Sequence, residues 1–92
     1  MPFTLVYHEL VITEDLPLLD GKARRRIEGA LRSHLRAAPD RYGIPLRKTL
    51  RGYWKYRIDQ HRAVFRIHQQ EVRIIAVRQR ADVYDRAEER SR

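Results

Sequence analysis

Between Leu50 and Ile67 the chain alternates large apolar and basic side chains twice over. Trp54, Tyr56 and Ile58 interleave with Tyr53, Lys55 and Arg57, and Ala63, Phe65 and Ile67 interleave with Arg62, Val64 and Arg66. Side chains of a strand point to opposite faces with period two, so this stretch predicts two adjacent strands joined by the polar turn Asp59-Gln60-His61. Paired as a hairpin, the strands place Trp54, Tyr56 and Phe65 in a core and gather Lys55, Arg57, Arg62 and Arg66 on the other face. Like charges brought together repel, so a sheet that keeps them is expected to meet an anion there.

Charge narrows the partner. Twenty Lys and Arg against twelve Asp and Glu give a net charge of +8. The cations are mostly Arg, whose planar fork of donors suits phosphate. Nucleic acid is therefore the first partner class, an acidic protein the second and a membrane surface the third, since no helix pairs a basic face with a strongly apolar one. Ninety-two residues make one domain, spanning 1–92, with a modest core and room only for a shallow surface site. Without cysteine there is no disulfide or thiolate metal site, which is compatible with a cytoplasmic location. His8, His34, His61 and His68 have no metal-ligand spacing, and neither a metal nor a cofactor is expected. The N-terminus carries no signal-peptide pattern and no apolar run is long enough to span a bilayer.

Phe3 to His8 alternates as a first strand. Thr13 to Leu19 reads as a short helix with Pro17 in its early turns. Asp20 is placed to cap a longer helix running to about Ala37, with Ala23, Ile27, Ala30, Leu31 and Leu35 as its apolar stripe. Ala38 to Gly52, with two prolines and two glycines, reads as a basic loop. After the hairpin, a turn at Gln69-Gln70 leads into Val72 to Val77, the least polar strand, expected inside the sheet. Asp82 is expected to cap a short last helix, and Glu88 to Arg92 to form a charged tail with nothing to bury. The expected fold is α+β: a small, mostly antiparallel sheet, a helical hairpin on one face, a short C-terminal helix, and the other face open.

Leu50-Arg51-Gly52-Tyr53-Trp54-Lys55-Tyr56-Arg57, His61-Arg62-Ala63-Val64-Phe65-Arg66-Ile67 and Arg80-Ala81-Asp82-Val83-Tyr84 together resemble the RelE family of type II toxin–antitoxin toxins, within the RelE/ParE superfamily. The resemblance implies a RelE-like fold and a metal-independent endoribonuclease that cuts mRNA in the ribosomal A site by attack of the RNA's own 2′-hydroxyl. It implies that Arg62 binds the scissile phosphate, that Lys55 and Arg57 add to its field, and that Lys55, Arg57 or Tyr84 is the base, with Arg80 as candidate acid. Lys48, Arg51, Tyr53, Arg66 and Arg78 are expected to contact RNA around them, Arg78 also being a rival for the role of Arg80. The implied partners are an acidic cognate antitoxin, the ribosome and mRNA. Many members carry a histidine where Gln79 stands, so this chain departs from the pattern at a proton-exchanging position.

Duller readings exist for the same residues. Lys55, Arg57 and Arg66 suit a solvated sheet face, Arg62 could pair with Asp59, and Tyr84 has the spacing of a core residue. At the level of function the rivals are a ParE-like inhibitor of DNA gyrase without chemistry of its own, and a catalytically weak member that binds RNA or antitoxin.

Overall fold

The computed structural model describes residues 2–92. Its five strands are β1 (Thr4–Tyr7), β2 (Ile44–Pro45), β3 (Trp54–Ile58), β4 (His61–His68) and β5 (Glu71–Gln79). They form one sheet in the order β1-β5-β4-β3-β2. Only β1 runs parallel to its neighbour; the other pairings are antiparallel. The β3–β4 hairpin is as the alternation predicts, except that its turn is Asp59-Gln60 and His61 already pairs with Ile58. Asp59 and Gln69 take left-handed backbone at the two hairpin turns.

One face of the sheet carries the helical hairpin. Its first arm is irregular: a π-helical turn at Val11–Asp15 followed by a 3₁₀ turn at Leu16–Leu18, with Pro17 in the latter. Helix α1 (Gly21–Ala30) is capped by Asp20, whose carboxylate accepts from the Ala23 N–H at 2.8 Å, and it continues as a π-helical turn through Leu31–Leu35. Val11, Leu16, Ile27, Leu31 and Leu35 bury themselves against Tyr56, Ile58, Ala63, Phe65, Val72, Ile74 and Val77. The Ala38–Gly52 segment is more ordered than a loop: it contains the short helix α2 (Pro39–Tyr42), strand β2 and a 3₁₀ turn at Lys48–Leu50. Its prolines and glycines mark boundaries between these pieces.

The opposite face is not open. Helix α3 (Arg80–Arg90) lies over β4 and β5 and buries Val83 and Ala87 against Leu50, Val64, Ile75 and Ala76. A bulge makes this possible. Val64 pairs with Ala76 and Phe65 with Ile74, which leaves Ile75 unpaired and turns both Ile75 and Ala76 toward α3. That is why Val72 to Val77 is apolar at five positions: the bulged strand feeds cores on both faces. Asp82 does not cap α3. The helix starts three residues earlier, behind Gln79, and Asp82 instead meets Arg78 and Arg86 at 2.6 and 3.4 Å. Nor is the tail idle: Arg90 continues the Val83–Ala87 stripe at helical spacing, and its side chain is only 3% exposed. Among the described residues no helix is long and apolar enough to cross a membrane.

Candidate nucleic-acid interface

Strand register aligns three arginines across the sheet: Arg57 pairs with Arg62, and Arg62 with Arg78. All three project from the face that carries α3, yet the helix treats them differently. Arg78, at its N-terminal end, donates from Nε to Asp82 at 2.6 Å and from Nη1 to Asp15 at 3.1 Å, and its side chain is 19% exposed. Arg57 and Arg62 lie farther toward the β3 edge. Neither they nor Lys55 nor Arg80 makes an ion pair with a carboxylate among the described residues.

Lys55, Arg57 and Arg62 line one groove with Tyr42, Ile44 and Tyr56, with a volume of about 310 Å³. The groove exists because β2 is only two residues long. It pairs with Trp54 and Lys55 and stops, leaving the edge of β3 uncovered from Tyr56 onward. Residues from both faces of β3 therefore reach it. Arg62 is anchored through Nη1, which donates to the backbone oxygens of Asp59 and His61 at 2.8 and 2.9 Å. The Asp59 carboxylate pairs with Arg26 instead, at 2.6 Å, so Arg62 keeps its charge uncompensated.

Arg80 and Tyr84 line a second, neighbouring concavity with Gln60, Gln79 and Ala81. The two concavities share no lining residue; the Arg80 N–H donates to the Gln60 oxygen at 3.1 Å, which seats the start of α3 on the β3–β4 turn. Tyr84 also packs, partly buried, on the cluster under α3 beside Tyr53 and Leu46, the contact that its core reading expects. Three other concavities each hold carboxylates: Asp20 and Asp59 beside α1, Asp15 and Asp82 beside Arg78, and Glu28 beside β1. The two that contain Lys55, Arg57, Arg62 and Arg80 hold none, whereas the candidate Arg78 lies in one that does.

The remaining candidates are dispersed. Arg66 pairs with Arg73 beyond the bulge, about 13 Å along β4 from Arg62 with buried Val64 between. Lys48 and Arg51 are exposed on the turn before β3, Lys48 in left-handed backbone, and Gly52 supplies the φ of 96° that redirects the chain into Tyr53. Thr49 hydrogen-bonds Glu88, tying this turn to α3.

Sequence reasoning missed Asp15. Its side chain is fully buried, accepts from the Val77 N–H at 2.8 Å and meets Arg90 at 2.7 and 2.9 Å and Arg78 at 3.1 Å. It stands where β1 has ended and the β5 edge would otherwise be unpaired. Burial by itself pushes this carboxyl up, but the hydrogen bonds from Arg90 and Val77, the charge of Arg90 and then the hydrogen bond from Arg78 outweigh that and hold it below its ordinary value. The partners lie 62 to 75 residues away, so no local pattern announces them.

A sequence model described as "ParE toxin of type II toxin-antitoxin system, parDE" matches residues 12–84. The chain belongs to the ParE toxin family, within the RelE/ParE superfamily. Among solved structures it is similar to a chain of the RelBE2 toxin–antitoxin complex of Mycobacterium tuberculosis, with 28% identity, a TM-score of 0.81, and 89% of this chain and 95% of that one covered. A double arginine-to-alanine mutant of Escherichia coli toxin RelE in the free state shares the fold, with a TM-score of 0.74 over 98% of both chains at 20% identity. No curated protein matches. The chain is thus a type II toxin of the superfamily that its motifs resemble, matched by a ParE model in sequence and by RelE toxins in structure.

Proposed function

We propose that this toxin is a ribosome-dependent mRNA endoribonuclease. The observation that carries the reading is the groove in which Lys55, Arg57 and Arg62 stand together without a carboxylate. Three uncompensated cations beside one another are costly in a free protein and useful against a phosphodiester. In this reading Arg62, fixed by the turn, holds the scissile phosphate, and Lys55 and Arg57 stabilise the charge that grows as the 2′-oxygen bonds to phosphorus. A guanidinium does not surrender its proton, so Lys55 and Tyr84 are the groups left to take the 2′-hydroxyl proton. Arg80 donates a hydrogen bond to the departing 5′ oxygen, which takes its proton from water. Arg78, held between Asp15 and Asp82, serves by fixing the end of β5 that carries Arg80. The reaction needs no metal, and Gln79 takes no part in proton transfer.

The partner is an acidic antitoxin in the cytoplasm, which neutralises the toxin by covering the basic groove with matched charge. The RelBE2 likeness supports an antitoxin partner, since that structure is a toxin–antitoxin complex. The ParE match favours a second reading, inhibition of DNA gyrase without chemistry. One comparison separates them. Translating ribosomes incubated with the wild type should yield new mRNA 5′ ends, and Arg62→Ala should lower their rate about 100-fold or more, as removal of a transition-state donor does. Gyrase-dependent DNA breaks with no new mRNA ends would give the second reading the field.

A further inference from the structure

One wall of the β3-edge groove has no part in the reaction just described. Tyr42 and Ile44 form it, and they are 45% and 58% exposed. The Tyr42 ring is nonetheless firmly held. It stacks on His34 with centroids 4.3 Å apart and planes 20° from parallel. His34 in turn hydrogen-bonds the Tyr56 hydroxyl through Nδ1, and the Tyr56 ring stands edge-on to both, at 5.8 and 6.4 Å. Tyr56 is buried, so the three rings run from core to solvent. The backbone is fixed as well. Tyr42 ends α2, and the Gly43 after it lies so close to the core that a Cβ there would sit 2.6 Å from Phe65 Cζ and 2.8 Å from the Pro39 oxygen.

We propose that Tyr42 is a base-stacking platform, taking an unpaired nucleobase of a single-stranded RNA whose adjacent phosphate lies on Lys55, Arg57 and Arg62. The proposal rests on the endoribonuclease reading for its ligand and adds the residue that reads the base. A phosphate alone requires only the cations. A pre-set aromatic ring beside cations is the combination that single strands use, base on ring and backbone on charge. A paired base could not lie on it, which excludes a duplex. Because the ring offers surface and few directed donors, its selectivity follows stacking strength, giving a modest preference for purine at that position. An acidic peptide is the competing occupant: it would use the cations and Ile44 but leave the ring face without a role.

The test uses a short single-stranded RNA with 2′-O-methyl sugars, so that no strand is cut, and one 2-aminopurine as fluorescent base. Binding to the wild type and to Tyr42→Phe should quench the base, with equal affinity. Tyr42→Leu should bind about tenfold more weakly and lose the quenching. The wild type should also bind the same RNA with an abasic site about tenfold more weakly, a comparison that needs no variant to fold. Equal affinity for the abasic strand, or quenching that persists in Tyr42→Leu, would overturn the proposal. So would a Tyr42→Leu protein that loses only an acidic peptide and keeps RNA. Since this RNA cannot be cleaved, stacking and cleavage stand or fall separately.

Discussion

Two sets of arginines on the α3 side of the sheet are treated in opposite ways, Arg78 and Arg90 largely buried, Arg57 exposed and Arg62 half-buried. Arg78 and Arg90 converge on the buried carboxylate of Asp15, and Arg78 also reaches Asp82. Arg57 and Arg62, one strand over, face each other across β3 and β4 with no carboxylate. Side-chain chemistry is the same in both. The difference is whether the fold supplies the counter-charge, and it teaches where function sits. Neutralised arginines hold α3 to the sheet and to the N-terminal helical turns. Uncompensated ones wait for an anion from outside. The contrast predicts that substitutions in the first set act mainly on stability and in the second mainly on binding.

The largest effect belongs to the neutralised set. Asp15→Ala would take the buried carboxylate from both arginines, leaving Arg90 only the exposed Glu14 carboxylate at 3.3 Å and Arg78 only that of Asp82, and should cost about 3–5 kcal/mol in urea unfolding. Asp15 also sets an acid limb. Its pKa is lower in the folded than in the unfolded chain, so its contribution is complete above the unfolded value near 4 and is lost as pH falls through the folded one. Asp15→Asn should therefore flatten the stability profile below about pH 4. Were Asp15→Ala as stable as the wild type, the ion pairs would not be what holds α3.

How far the sequence carries depends on the range of the interaction. The β3–β4 hairpin, the Asp20 cap and the inward place of β5 follow from neighbouring residues, and period and capping chemistry suffice to read them. The motif cations of the groove were legible for the same reason, since Lys55, Arg57 and Arg62 lie within one hairpin. Helix α3 closing the second face was not. Its signal is Val83, Ala87 and Arg90 at helical spacing, and an arginine on a buried stripe reads as solvent-facing until its distant Asp15 is known. Strand β2 was hidden among prolines and glycines, although its early end is what opens the groove.

Gly43 tests the boundary between the two regions, for it packs on the core yet positions the groove wall. Gly43→Ala forces a Cβ toward Phe65 and the Pro39 backbone, and should destabilise by about 1–3 kcal/mol in urea unfolding. Wild-type stability in this variant would mean that the α2–β2 junction gives way easily and does not set the wall.

The smallest stability effect has the opposite sign and is the sharpest test of the contrast. Arg57 and Arg62 form a directly opposed like-charge pair, an arrangement that costs about 0.2–1 kcal/mol. Arg57→Gln removes the repulsion and breaks no ion pair among the described residues. It should therefore unfold at slightly higher urea than the wild type while binding single-stranded RNA more weakly. If Arg57 neutralises one phosphate, the slope of log affinity against log salt should also shrink by about 0.7. A gain in stability coupled to a loss in affinity is what a charge retained for a ligand predicts, whereas a merely solvated arginine would move neither. Arg57→Gln that lowers stability and leaves the salt slope intact would erase the distinction between the two sets.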